Sequence, residues 1–529
     1  MIMTIITSIL FAIFSTSVMT YITLATPIGP WMGPTLAMLG IVIVRCFSHF
    51  TTSKLLYAVS AGSIGGILAT AFGFSLPTYY FLDSNAFVDL MQRPLLACSL
   101  IGMLALSGGL LAWWLSLHIK KTLLYDQDLS FPVGVLVYNI ASSAHEVGNL
   151  QRLLAGFFST SLYCLLQIKR WFGTLVPSMI TVFPSWRIGI LKIPALQFSM
   201  TYLPMLWAIG FIAGGMITVP LLIGTLTRIF FTDVIQALYF PTIRDADFTL
   251  AFCSGMVVAG AFGGLIDTPR QLFDFFKNQQ TTTKKRDGQG WRALLFSWQC
   301  LLAFGTAISV LTYFEFSALA QLYILFFTLL CAYQIAAIAG KIGLAQLGRW
   351  ATFVMLPGLV IFGFTGLQAT VVATLVEACG GVTTDILFGQ RAASLAQLPA
   401  RRMFYFQLLG IVVSSITLAI VFWLLVTHFQ LGSELLFAER GQARALLVKA
   451  VTFDYTVLAL GVVYGIILKK CKVSPMLVLG GLLMPLSLSL GLVFGGLSSS
   501  LVSKKEEWEP FCSGMFAANA LWMVFQALW

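Results

Sequence analysis

Apolar runs long enough to cross a bilayer recur along this whole chain, with little but short polar connectors between them. An α-helix rises 1.5 Å per residue, so about 20 apolar residues match a hydrocarbon core roughly 30 Å thick. The runs at 4–24, 55–82, 94–117, 148–168, 195–225, 250–265, 293–313, 318–340, 352–376, 403–426, 445–468, 476–494 and 511–528 all read as helices of this kind. Two shorter runs flanked by Pro and Gly, 31–47 and 131–143, read as half-helices or re-entrant segments. The runs 55–82 and 195–225 are long enough to tilt, or to break at Gly and Pro.

Composition excludes the soluble alternative. With 58% hydrophobic and 10% charged residues and a mean hydropathy of +0.91, the chain carries more apolar surface than one soluble core hides, whereas lipid accepts a helix that is apolar all round. The expected fold is therefore all-α: a polytopic integral membrane protein of 529 residues, with about 14 transmembrane helices (roughly 12 to 16), some broken or re-entrant. The first run has the length of a secretory signal, but no Lys or Arg precedes Arg45 and no small-residue cleavage pattern stands out, so it reads as a membrane helix. No long hydrophilic stretch offers room for a separate soluble catalytic domain.

The excess of 31 Lys plus Arg over 20 Asp plus Glu lies in short loops between apolar runs. That is the positive-inside pattern of a membrane protein rather than a nucleic-acid footprint. The loop 267–292, with six basic and three acidic residues, is the strongest cytoplasmic assignment. It divides the chain into an N-terminal transmembrane half (1–266), the hydrophilic linker itself and a C-terminal half (293–529). Arg391, Arg401 and Arg402 mark a second cytoplasmic candidate in 383–410, and Lys469, Lys470 and Lys472 a third. For all three the alternative to topology charge is contact with a substrate or nucleotide.

The chemistry-bearing residues point away from enzymes. Nine cysteines show no CxxC spacing and read as small buried hydrophobes. Four histidines lack metal-binding spacing, and no GxxxxGK[ST] motif is present. We therefore expect no catalytic residue, no bound metal and no cofactor, and uphill movement would draw on an ion gradient. Glycine is concentrated in the apolar runs, for example "AGSIGGILATAFGFSLP" at 61–77 and "GMVVAGAFGG" at 255–264. Such residues either let helices pack closely or, with neighbouring prolines such as Pro132, Pro475 and Pro485, break helices around a cavity.

Several of these segments resemble one family. "DLSFPVGVLVYN" (128–139) is similar to the Phe-Pro-x-Gly segment of the oligopeptide transporter family, which also holds the yellow-stripe-like transporters of metal chelates. "AGSIGGILATAFGFSLPTYYFL" (61–82) and "AIGFIAGGMITVPLLIGTL" (208–226) resemble its early Ala-Gly and Gly-rich helices. In 383–410, an Asp, a small-residue spacer, Pro-x-Arg and then "FQLLG" give the best match, and the matches are collinear from about 55 to 500. The chain departs from the pattern at "GKIGLAQLGRW" (340–350), which lacks a proline, and at Asn519, where a Gly-Glu-like pair is expected. The resemblance implies a divergent bacterial member of that family.

Candidate site residues follow. Intramembrane carboxylates cost a few kcal/mol when ionised, so those present invite a function. Glu377, Glu146 and Asp454 are each either interfacial residues or sites for a proton or a substrate amine. Asp385 is expected at the mouth of a helix, either as a cap or arginine partner, or as an acid that pairs with and releases an arginine during a transport cycle. Tyr138 and Asn139 are either a belt aromatic and a cap, or hydrogen-bonding groups for substrate. The assembled expectation is a proton-coupled secondary transporter of small oligopeptides or peptide-like metal chelates, working by alternating access. Tyr138, Asn139 and Glu146 would bind substrate, and Glu377 and Asp385 would couple protons. Its partners would be that substrate, protons and the lipid of a bacterial inner membrane, with no nucleic acid. The rival class is a polytopic enzyme acting on lipid-linked substrates, which would gather acidic or histidine residues in an interfacial loop; no loop holds a His cluster, and the DxD triplets at 126–128 and 245–247 have no histidine beside them.

Overall fold

A computed structural model describes residues 2–27, 29, 31–46, 51–126, 129, 131–142, 147–166, 179–186, 196–201, 204–232, 298–342, 345, 347–449, 454–473, 475–483 and 486–502, with scattered positions in 235–259 and 507–522. Along the chain run α1 (Ile2–Ala25), α2 (Met32–Cys46), α3 (Thr52–Ser75), α4 (Pro77–Leu82), α5 (Ser84–Met91), α6 (Pro94–Lys120) and α7 (Pro132–Ser142). Next come α8 (Val147–Leu166), an antiparallel hairpin of β1 (Met179–Trp186) and β2 (Leu196–Thr201), α9 (Pro204–Ala213) and α10 (Gly215–Thr227). They are followed by α11 (Trp298–Tyr313), α12 (Ala318–Ile342), α13 (Leu347–Phe362), α14 (Gly366–Leu395) and α15 (Ala400–His428). The last are α16 (Glu439–Val448), α17 (Tyr455–Lys470), α18 (Pro475–Leu483) and α19 (Leu486–Leu501).

The chain divides into two compact units. One comprises Met1–Thr23, Gly29–His145 and Gly263–His428; the other comprises Leu24–Ile28, Glu146–Phe262 and Phe429–Trp529. The first holds, but for Leu24 and Ala25, the six described helices long and apolar enough to cross a membrane: Ile2–Ala25, Thr52–Leu82, Pro94–Leu124, Ala318–Gly340, Gly366–Leu395 and Ala400–His428. The all-α, polytopic expectation is met, and the β1–β2 hairpin in the second unit is an addition to it.

Within the first unit the spans are not equivalent. Over their most apolar windows α3 with α4 and α14 are 100% buried, whereas α15 is 44% buried. An outward row of Ile2, Ile6, Leu10 and Ile13 on α1, and another of Val412, Ile416 and Ile420 on α15, present apolar side chains at helical spacing. This is the surface that lipid requires. Helices α3 and α14 lie against each other behind that layer, and α6, α7, α12 and α13 also pack on α14. Close approach rests on small residues, because between helices in lipid van der Waals packing replaces the hydrophobic effect. Hydroxyls on α1 are satisfied internally: Thr16, Thr20 and Thr23 each donate to the carbonyl four residues back, at 2.6 to 2.7 Å.

Three apolar runs and one loop differ from the sequence reading. The run 352–376 is two helices, since α13 stops at Phe362 and Gly363 turns the chain with φ +65°, a conformation open to glycine. The run 195–225 begins as a strand and continues as α9 and α10, which are separated by Gly214 at φ +62°. The run 445–468 joins the end of α16 to most of α17. The supposed loop in 383–410 shrinks to four residues, 396–399, between α14 and α15. The two half-helix candidates are short helices: α2 has 15 residues and α7 has 11, or about 22 and 16 Å. α7 starts at Pro132, directly after Phe131, whose φ is +46°. Pro475 opens α18, whereas Pro485 and the loop 267–292 lie outside the described residues. Cys164, Cys253, Cys331, Cys379 and Cys512 are buried, as small hydrophobes should be, and Cys471 is exposed.

Candidate functional site

α14 is the helix on which the candidate acids stand. Its start is built by a capping box: Thr365 Oγ1 accepts from Gln368 N at 3.2 Å, and Gln368 Oε1 accepts from Thr365 N at 3.0 Å. Gln368 Nε2 then donates to Phe314 O at 3.0 Å, tying this end to the turn after α11. From there α14 runs for 30 residues, about 45 Å, which exceeds the apolar thickness of a bilayer. Glu377 and Asp385 stand in mid-helix, about 12 Å apart along the axis.

Both carboxylates are buried, at 0% and 3% exposure. Each accepts a hydrogen bond from a serine of α3. Ser75 Oγ donates to Glu377 Oε2 at 2.6 Å, and Ser63 Oγ donates to Asp385 Oδ2 at 2.5 Å. The serine numbers fall as the acid numbers rise, so α3 and α14 run antiparallel. The two pairs are therefore two points on one seam, between the two helices that lipid does not reach. A carboxylate in such a place needs charge-assisted hydrogen bonds, which are the strong ones.

This placement corrects the sequence reading of Asp385. It is not at a helix mouth but in the middle of α14, and among the described residues it makes no ion pair with Arg391. Arg391 stands on α14 itself, half-buried, and its Nε is buried without a hydrogen-bond partner. Arg401 and Arg402 are exposed on the first turn of α15. Glu377 is buried rather than interfacial. Asp454 caps α17, accepting from Thr456 N at 2.9 Å and Val457 N at 3.2 Å, so it takes the structural role.

The substrate candidates are less gathered. Tyr138 is half-buried on α7, and Asn139 follows it on the same helix. α7 packs against α2, α3 and α14, which brings it beside the helix that carries the acids. No described hydrogen bond joins Tyr138 to Glu377 or Asp385, and Glu146 lies outside the described residues. The serines that complete the acid pairs were not foreseen. Hydropathy treats Ser63 and Ser75 as neutral members of a glycine-rich run, and the signal available was only that each is a hydroxyl inside an apolar segment.

Residues 251–529 match the family described as OPT oligopeptide transporter protein. The chain belongs to the oligopeptide transporter family. As a member of a transporter family whose long helices are apolar, this transporter is an integral, multi-pass membrane protein. The matched segment contains α11 to α19, and with them Glu377 and Asp385, while Ser63 and Ser75 come from the part of the transporter that precedes it. A search among curated proteins finds no match to the chain.

Proposed function

We propose that this oligopeptide transporter family member is a proton-coupled secondary transporter that moves small oligopeptides or peptide-like metal chelates across a bacterial inner membrane. Alternating access between the halves 1–266 and 293–529 is the mechanism, with Glu377 and Asp385 as the proton-carrying groups. One observation carries the reading: two buried carboxylates on one helix, each bonded to a hydroxyl of the same neighbouring helix. A hydroxyl both donates and accepts, so it serves a carboxylate when ionised and a carboxylic acid when protonated. Tyr138, Asn139 and Glu146 are assigned to the substrate, whose amide, carboxylate and ammonium groups call for hydrogen bonds and an opposite charge in a mostly apolar cavity.

The test is uptake into proteoliposomes under an imposed proton gradient, with pooled radiolabelled di- to hexapeptides offered with and without iron. Wild type is compared with Glu377→Gln and Asp385→Asn. Gradient-dependent accumulation in wild type, lost in both variants while gradient-free exchange persists, is the expected result. Accumulation that ignores the gradient, or that both variants retain, would overturn the proton-coupled reading.

A further inference from the structure

Four helices meet beside Asp385. Gln407 on α15 donates its Nε2 to Ser60 Oγ on α3 at 2.8 Å and to Ile386 O on α14 at 3.0 Å. Its Oε1 accepts from Gln390 Nε2, one turn further along α14, at 3.0 Å. Gln390 Oε1 in turn accepts from Lys120 Nζ, at the end of α6, at 2.8 Å. The ammonium also lies 5.5 Å from the centre of the Phe404 ring. Ser60, Gln390 and Gln407 are all buried, and Lys120 is half-buried.

The orientation of this chain is determined from both ends. An ammonium can only donate, so Lys120 obliges Gln390 to present Oε1. A backbone carbonyl can only accept, so Ile386 obliges Gln407 to present Nε2. The two constraints are independent, and they agree at the contact between the amides, where Gln390 Nε2 faces Gln407 Oε1. The chain ends beside the acid pair on both helices: Ile386 follows Asp385 on α14, and Ser60 is one turn from Ser63 on α3. Ser63 Oγ is itself 3.3 Å from Ser60 O. An isolated lysine at a helix end reads as topology charge, but one that orders two buried glutamines has a further task.

We infer that Lys120 is a positioning residue for the Asp385–Ser63 pair, acting through Gln390 and Gln407. Its donor orients the two amides, and the oriented amides pin α3 and α14 on either side of the pair. The inference rests on the reading of Asp385 as a proton-carrying group.

Three substitutions separate the contributions. Lys120→Met keeps the stem and removes donor and charge, Lys120→Gln keeps a donor, and Lys120→Arg keeps both. Each is assayed in proteoliposomes with the same radiolabelled peptide pool, alone and combined with Gln407→Leu, alongside Asp385→Asn. Lys120→Met is expected to lower the Vmax of gradient-driven uptake about tenfold, the scale of one charge-assisted hydrogen bond. KM and gradient-free exchange should stay near wild type, which also reports that the variant is folded. Lys120→Arg should recover the rate. In the Gln407→Leu background Lys120→Met should add less than about twofold, because the link is already cut.

Hydrogen–deuterium exchange of the same proteins adds a readout free of substrate. Faster exchange over 383–395 in Lys120→Met, reversed in Lys120→Arg, is expected. Multiplicative effects in the double variant together with unchanged exchange would overturn the positioning role. If that happens while Asp385→Asn abolishes coupled uptake, the positioning role falls and the proton reading stands. Intact coupled uptake in Asp385→Asn removes the proton reading and this inference with it.

Discussion

Ser63 Oγ lies 2.5 Å from Asp385 Oδ2 and 3.3 Å from Ser60 O, so one hydroxyl proton faces two acceptors. When Asp385 is ionised the proton goes to the carboxylate. When Asp385 is protonated the carboxyl donates to Ser63, and the serine turns its proton to the Ser60 carbonyl. Neither state leaves a buried polar group orphaned. Ser63→Ala takes this away and is expected to destabilise the transporter by about 1–3 kcal/mol, the cost of a buried group left without its partner. Thermal unfolding in detergent checks the stability, and coupled uptake should fall in parallel. A variant with wild-type melting and wild-type uptake would mean that the hydroxyl is idle.

Gly389 stands on α14 where a Cβ would collide with Ser60 Oγ and Gln407 Nε2. Two effects compete in Gly389→Ala. Better helix propensity favours the variant by up to about 1 kcal/mol, and forced repacking of a tight interior opposes it by about 1–3 kcal/mol. Sterics win where the neighbours are themselves held by hydrogen bonds, as both are here. A lower melting midpoint is expected, and a raised one would show that the α3–α14–α15 junction has slack.

Thr365 caps α14 far from either acid pair in sequence, and its role is to start the helix. Thr365→Ala is expected to cost about 1 kcal/mol, with 0.5–2 as the usual range for a lost N-cap. Uptake per folded molecule should not change. A large drop in uptake at unchanged stability would assign this end of α14 to the transport path.

Glu439 opens α16, a helix that is not among the apolar ones, in the second unit. Its carboxyl is buried, Oε2 has no hydrogen-bond donor, and burial pushes its pKa up to about 7, with Arg440 pulling the other way. Between the ordinary value of 4.5 and about 7 the folded protein binds more protons at this group than the unfolded chain does. This contribution therefore falls as pH rises through that window and is level above it. Glu439→Gln should remove the slope and leave the variant more stable than wild type at pH 8, by at most on the order of 3 kcal/mol. Melting midpoints of both proteins at pH 5 and pH 8 are the measurement. A wild type that gains on the variant with rising pH would contradict the assignment.

What was legible in the chain depended on how local its cause is. Apolar runs are readable because the bilayer imposes length and hydropathy on each span separately, and α1, α6, α12 and α15 appear close to where the runs place them. The division at Gly363 was not readable. Hydropathy stays high from 352 to 376, and the break depends on one backbone angle at one glycine. Asp385 was misplaced for a related reason. The three arginines that follow it suggest a loop, yet Arg391 is still helical and only 396–399 are left to turn the chain.

By itself the sequence determined that this is a many-helix membrane protein, and it singled out Glu377 as a costly charge in apolar company, while it placed Asp385 at a helix mouth. The first two follow from composition and spacing along one helix, where lipid is the only neighbour that needs to be assumed. Only the tertiary structure decided which helices are shielded from lipid, and that Ser63 and Ser75 on α3 meet acids more than three hundred residues away in the chain. It also decided that Lys120 reaches Ser60 and the Ile386 carbonyl, next to the Asp385 pair, through two glutamines. Hydroxyl and amide side chains barely register in hydropathy, and their hydrogen bonds depend on distances and angles that exist only once separate helices are packed.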